Sequence, residues 1–118
     1  MTHTGGDSAR SGSREQVTRQ LRAARVLTGL LERGTREDLP VLEWTISHAG
    51  TQITGRSYAQ PGITRRAALA AWAAALGIKL GGEYHRDSRM TTITGTAKPD
   101  RTRHGLATIT LTGDIWED

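Results

Sequence analysis

Apolar residues recur every three or four positions between Ser13 and Gly34, which is the period of an α-helix. Ser13 opens a capping-box pattern, and Gly34 is of the residue type that most often ends helices. The pattern therefore predicts a helix over 14–33. Residues 1–12 are rich in Thr, Gly and Ser and have no apolar period, so we expect a disordered tail there and one folded domain at 13–118.

Alternating apolar and polar residues, typical of half-buried strands, follow this helix. Thr64 and Gly77 bound an alanine-rich segment of strong helix propensity, which predicts a second helix over 65–76. The alternation predicts strands over 42–47, 52–58, 80–85, 90–97 and 106–115. Because the strands are joined by short connections, we expect a single α+β domain of order α-β-β-α-β-β-β. Its five-stranded sheet should be mostly antiparallel, with the two helices on one side.

The charge balance is basic. The chain has 16 Lys and Arg residues against 12 Asp and Glu, which gives a net charge of +4 and a pI near 10.3. Only Lys79 and Lys98 are lysines, so arginine supplies nearly all of the positive charge. One interpretation is an anionic partner, since Arg forms bidentate hydrogen bonds with phosphate. The other is a GC-rich genome, in which Arg codons replace Lys codons without functional meaning.

The composition excludes several kinds of chemistry. With no Cys, the chain forms no disulfide, thiolate metal site or cysteine nucleophile. No stretch approaches the ~20 apolar residues of a membrane helix, and the N-terminus lacks the apolar core of a secretory signal. We therefore expect a cytoplasmic protein that does not bind membranes.

No constellation of residues points to catalysis. The histidines are not spaced as zinc ligands, and no glycine-rich loop with a phosphate-binding lysine opens a helix. Residues 83–88 contain Glu, His, Asp and Ser, which is the only local cluster with the residue types of acid–base chemistry. Asp and Ser are also ordinary turn residues. The sequence thus predicts a non-catalytic protein with no metal and no cofactor.

Seven basic residues form the candidate nucleic-acid-binding set, because they lie at predicted connections or at a helix start. They are Arg86 and Arg89 at one hairpin tip, Lys98, Arg101 and Arg103 in the next connection, and Arg65 and Arg66 in the first turn of the second helix. Cations oppose the macrodipole at a helix start, which suggests an anion nearby. Neighbouring connections often fall at opposite ends of a sheet, so scattered solvated charge is the alternative.

The first helix offers a different surface. The 4-3-4-3 spacing of a coiled-coil seam is followed by Val17, Leu21, Ala24, Thr28 and Leu31. This seam covers only about two heptads, and neighbouring apolar residues broaden it, which favours packing on the protein's own sheet. Dimerisation through helix 14–33, or docking of another protein there, is the alternative.

Two stretches carry a resemblance to known proteins. Residues 39–46 read LPVLEWTI, and residues 70–77 read AAWAAALG. Together they resemble small uncharacterised proteins of actinobacteria and of their phages or plasmids, over roughly residues 39–115. The resemblance implies a GC-rich host and a mobile element as the genomic setting, and it brings no activity and no functional residue with it.

These observations predict a small non-catalytic binding protein whose favoured partner is nucleic acid, held by basic hairpin loops. The alternative is a protein-interaction, oligomerisation or inhibitor-type accessory module of a mobile element, with a protein partner. The two hypotheses differ in the surface that would bind the partner. The first needs the basic connections, whereas the second needs the first helix or a free strand edge.

Overall fold

The computed structural model describes residues 3–59, 61–97 and 107–116, with side chains from residue 12 onward. The elements along the chain are α1 (His3–Arg36), β1 (Glu43–Ile46), β2 (Gln52–Arg56), α2 (Gly62–Leu76), β3 (Gly81–His85), β4 (Met90–Ala97) and β5 (Thr108–Trp116). The predicted α+β class, with two helices and five strands, is confirmed.

The strands form one sheet in the order β1-β2-β5-β4-β3. The pairs β1–β2, β3–β4 and β4–β5 are antiparallel, whereas β2 and β5 are parallel. The prediction of a mostly antiparallel sheet was therefore wrong, because the sheet is mixed. The physical reason is that α2 carries the chain from β2 to the far edge of the sheet, where β3 lies. The open side of β2 is then filled by β5, which returns from β4 in the same direction as β2.

The most apolar strands occupy the centre of this sheet. Ile53 of β2 is opposite Ile109 of β5, and both are fully buried, as is Leu111. α2 crosses this centre so closely that a Cβ built on Gly113 of β5 would lie 2.8 Å from Cδ1 of the buried Leu69. The alanine-rich sequence of α2 permits the close approach, since small side chains hold the helix near the strand.

α2 ends as predicted but begins earlier. Gly77 closes the helix in the left-handed conformation, with φ 68°, and its N–H bonds to the carbonyl of Ala73. The predicted cap at Thr64 was wrong, since the helix begins at Gly62 and the N–H of Thr64 bonds to the carbonyl of Pro61 at 2.9 Å. Proline favours a helix start, here ahead of Thr64, because its φ is already helical and it has no N–H that needs a partner.

α1 is longer than predicted at both ends. It begins at His3, well ahead of the predicted start, and it continues past Gly34 to Arg36. The helical backbone from His3 differs from the disordered tail expected at 1–12. Each added helical residue gains one hydrogen bond, so a strong helix can extend through weak helix formers. The division of the chain into that tail and a domain at 13–118 stays a prediction, because helical backbone alone does not establish packing.

Gly34 allows close packing instead of ending the helix. A Cβ built on Gly34 would lie 2.9 Å from Cζ2 of Trp72, so the two helices touch at this residue. Trp72 is only 2% exposed, and its Nε1 donates a hydrogen bond of 2.6 Å to the carbonyl of Pro40. Its ring meets that of Trp44 edge to face, with centroids 5.1 Å apart. The C-terminal end of α1 is therefore held against a rigid aromatic pair.

The rest of α1 packs on the hairpin formed by β1 and β2. Ala23 and Leu30 are buried on that side of the helix. The side-chain amide of Gln20 donates to the carbonyl of His48 at 2.8 Å, in the connection between the two strands. In the same connection Gly50 has φ 72°, and a Cβ built on it would lie 2.4 Å from the backbone nitrogen of Gln20. The helix backbone thus rests directly on this turn.

Candidate nucleic-acid interface

The predicted basic residues fall into three groups in the structure. Arg86 and Arg89 are exposed in the connection between β3 and β4, where Arg89 has φ 51°. Arg65 and Arg66 are both in α2, as expected. The remaining three lie outside the described residues: Lys98, Arg101 and Arg103.

The two basic connections are attached to opposite ends of β4. At one end Met90 pairs with Trp116, next to the tip that carries Arg86 and Arg89. At the other end Ala97, which precedes the connection 98–106, pairs with Ile109. The eight residues of β4 separate these points by about 24 Å. These two ends of β4 are well separated, and the connection 98–106 itself lies outside the described residues.

Arg65 is buried, and its hydrogen bonds join separate parts of the fold. It is 7% exposed, although arginine is rarely buried without partners. Its Nε donates to the carbonyl of Ala59 at 3.2 Å, and its Nη1 donates to the carbonyl of Asp114. The guanidinium thus ties the beginning of α2 to the preceding loop and to the end of β5. These bonds give Arg65 a structural role, and its predicted contact with nucleic acid stays a prediction.

Arg66 is exposed and lines two adjoining cavities at the same end of the sheet. One has a volume of about 480 Å³ and the other of about 560 Å³. Both are lined by Arg66, Ile115 and Trp116; Pro61, Gly62, Ile63 and Arg65 complete the first, and Tyr84 and Thr91 the second. We call the two cavities together the end cleft.

The end cleft combines positive charge with exposed aromatic surface. Trp116 is 57% exposed and Tyr84 is 54% exposed. Nearby at the end of β2, Tyr58 is also exposed, and the guanidinium carbon of Arg56 lies 6.0 Å from the centre of its ring. The first turn of α2 contains no acidic residue, and no side chain caps it, so the positive end of the helix dipole adds to the charge of Arg66.

Tyr84 was not among the predicted site residues, although it is exposed and lines the end cleft. The structure packs Leu80 against the core and leaves Tyr84 exposed on the edge strand β3. A signal was available in the preceding residues. Gly81 and Gly82 precede Tyr84 and bring no side chains to this edge.

A chain of hydrogen bonds crosses four strands on the face of the sheet away from the helices. Nη1 of Arg56 lies 3.3 Å from one carboxylate oxygen of Asp114, and the hydroxyl of Thr92 donates to the other at 3.1 Å. Nε2 of His85 is 3.0 Å from the same hydroxyl. Because the single hydroxyl proton points to Asp114, Nε2 must carry the proton in its bond to Thr92. In this arrangement Nε2 of His85 is the donor to the hydroxyl of Thr92.

The cluster at residues 83–88 is divided between β3 and the connection that follows it. Glu83 and His85 share the outer face of β3, whereas Asp87 and Ser88 are exposed in the connection that follows. Within the described ranges, no group of three or more His, Asp or Glu side chains is placed to hold a metal ion.

No helix in the described part of the chain has the length and apolar character needed to cross a membrane. Comparisons with protein-family models, with curated proteins and with solved structures found no match for this chain. The resemblance to actinobacterial and phage proteins therefore stays a prediction, and the case for function rests on the geometry of the end cleft.

Proposed function

We propose that this protein is a small non-catalytic binding protein that holds single-stranded nucleic acid at the end cleft. The observation that carries the proposal is that one cleft is lined by exposed Arg66, Tyr84 and Trp116. Arginine supplies contacts to phosphate, and aromatic rings supply flat faces on which bases stack. Both contacts tolerate any sequence, so we expect little base preference.

Single strands suit the cleft better than duplexes. In a duplex the faces of the bases are covered by their neighbours, whereas unpaired bases can lie against Tyr84 and Trp116. Each cavity is within the size range of small-ligand pockets, about 300–1,000 Å³, so a nucleotide unit fits. Arg86 and Arg89 extend the surface, since the hairpin tip begins beside the Met90–Trp116 pair.

Three further predictions are kept in the proposal: a second set of basic residues, the cellular location and the genomic setting. Lys98, Arg101 and Arg103, which follow β4 in the sequence, stay in the proposal as further residues for phosphate contacts. The cytoplasm stays the proposed location. A mobile element as the genomic setting is supported only by the resemblance of residues 39–46 and 70–77.

Fluorescence anisotropy with a labelled mixed-sequence single strand and the matching duplex, at two salt concentrations, tests this proposal. We expect the single strand to bind more tightly, with an affinity that falls as salt rises. Trp116→Ala should weaken binding about tenfold or more, as expected for the loss of one stacked base. Arg66→Glu should weaken binding by a similar factor and flatten the salt dependence.

Arg25→Glu is the matched control, because Arg25 is an exposed arginine on α1 and the substitution changes the net charge by the same amount. Its effect measures what overall charge alone does to the affinity. Equal weakening by Arg25→Glu and Arg66→Glu would assign binding to diffuse charge and remove the end cleft from the proposal. A wild-type protein that ignores the single strand at low salt would reject nucleic acid as the partner.

A further inference from the structure

α1 has two apolar faces, and its own sheet uses only one of them. Ala23 and Leu30 are buried against the sheet. A second row, which we call the α1 stripe, consists of Val17, Leu21, Ala24, Thr28 and Leu31. Three of its members are large and exposed, Val17 at 60%, Leu21 at 50% and Leu31 at 49%. Contiguous exposed apolar residues on one helix face are typical of an interaction surface.

The α1 stripe leads into a mostly apolar cavity of about 250 Å³ at the C-terminal end of the helix, with Thr35 and Asp38 as the polar residues of its lining. Leu31 belongs to both, and the cavity is also lined by Leu39, Val41, Trp44 and Trp72. Val41 is 92% exposed at its rim, although valine is usually buried. We call this cavity the α1 cleft. Its size suits one large apolar side chain, so the stripe and the cleft together form a groove with an anchoring pocket.

The charges beside the stripe indicate what kind of partner fits. The exposed charged residues of α1 from Arg14 to Arg36 are Arg14, Arg22, Arg25 and Arg36 against Glu15 and Glu32. Those one helical turn from a member of the stripe are Arg14, Arg25 and Glu32. None of these four arginines forms an ion pair with another described side chain. Two copies of this helix would bring arginines together, which is unfavourable, whereas a partner with carboxylates beside its apolar residues would neutralise them.

We propose that the α1 stripe and the α1 cleft dock an amphipathic helix of another protein, with Asp and Glu flanking its apolar seam. The stripe from Val17 to Leu31 is about 21 Å long, so it matches about four turns of a partner helix. A large apolar side chain of the partner enters the α1 cleft. The stripe has none of the aromatic residues that amphipathic helices use at membrane surfaces, which favours a protein over a lipid surface.

This proposal is independent of nucleic-acid binding, since no residue of the end cleft takes part. Three synthetic helical peptides serve as probes. The first has Leu at its seam and Glu on both flanks, the second has Lys in place of Glu, and the third has the residues of the first with the seam scrambled. Anisotropy of the labelled peptides measures each affinity for the full-length protein.

We expect the acidic peptide to bind at micromolar concentrations, and the lysine and scrambled peptides to bind at least about tenfold more weakly. Leu21→Ser should weaken the acidic peptide about tenfold by removing apolar contact. Arg25→Glu should weaken the acidic peptide and strengthen the lysine peptide, an exchange that a loss of folding would not produce. Arg66→Glu is the matched control and should change neither affinity.

Three results would overturn the proposal. The first is the failure of the acidic peptide to bind, and the second is equal binding of the acidic and lysine peptides. The third is a wild-type dimer in light scattering that Leu21→Ser dissociates, because a second copy of the chain would then cover the stripe. Leu21 and Arg25 are exposed, so circular dichroism of both variants should match the wild type and confirm that binding alone has changed.

Discussion

Gly34→Ala tests the contact that joins the two helices. In the interior of a helix this substitution ordinarily stabilises a protein, because Ala has a helix propensity about 1 kcal/mol better than Gly. At Gly34 the new methyl group would meet Trp72, with Cζ2 at 2.9 Å and Cη2 at 3.0 Å. The two effects have opposite signs, so the sign of the measured change reports whether α1 lies against the indole.

The indole has little freedom to move away. Trp72 is 2% exposed, is bonded through Nε1 to the carbonyl of Pro40 and is packed edge to face on Trp44. Overpacking of such a core typically costs about 1–3 kcal/mol, and displacing the ring would also weaken a hydrogen bond worth about 1 kcal/mol. The helix-propensity gain of about 1 kcal/mol offsets part of this cost. We therefore expect Gly34→Ala to lower the free energy of unfolding by about 1–2 kcal/mol.

Gly29→Ala is the matched control within the same helix. A Cβ built on Gly29 would have no heavy atom within 4 Å, so only the propensity term applies. We expect this variant to gain about 0.5–1 kcal/mol. Urea denaturation followed by tryptophan fluorescence measures both changes, and each kcal/mol should shift the melting temperature by about 4 °C.

The Trp72→Phe background completes the test. Phenylalanine lacks the atoms Cζ2 and Cη2, so Gly34→Ala in that background should be neutral or stabilising while Trp72→Phe alone is destabilising. If Gly34→Ala stabilises the wild type as Gly29→Ala does, the C-terminal end of α1 does not pack on Trp72.

Two further predictions separate structural from exposed residues. Arg65→Met should lower the free energy of unfolding by about 1–3 kcal/mol, because it leaves two carbonyls without their donor, whereas Arg66→Met should leave it unchanged. Equal melting temperatures for the two variants would contradict the different burial of these neighbours. Gly50→Ala should release α1 from its hairpin, since the methyl group would lie 2.4 Å from Gln20 N and 2.5 Å from Arg19 C. Amide hydrogen exchange should then rise in α1 and stay slow in β5, and unchanged protection of α1 would be evidence against this docking.

The strands and the second helix were predictable because each has a local period. The predicted strand 90–97 is β4, Met90–Ala97, residue for residue, and helix 65–76 differs from α2 only in its start. The alternation of apolar and polar residues shows which side chains of a strand face a core. It does not report which strands are neighbours, because pairing between β2 and β5 joins residues far apart in the chain.

The candidate site was predictable in part, and for a similar reason. A hairpin tip is exposed in almost any fold, so Arg86 and Arg89 were placed correctly at an exposed connection. The exposure of Tyr84 was not predicted, because it depends on what the rest of the fold brings to the edge of β3. No local pattern contains that information.

Arg65 and Arg66 show which properties the sequence determines and which depend on the tertiary structure. From the sequence they are two adjacent arginines in one helix, and the same role was predicted for both. Only the tertiary structure decided that Arg65 turns inward to the carbonyls of Ala59 and Asp114 while Arg66 opens to the end cleft. The sequence by itself determined the helices, the strands, the positive charge and the absence of cysteine chemistry, since these follow from local period and composition. Which arginine is exposed follows from the rotation of α2 on the sheet, which is set by the packing of Leu69 and Gly113.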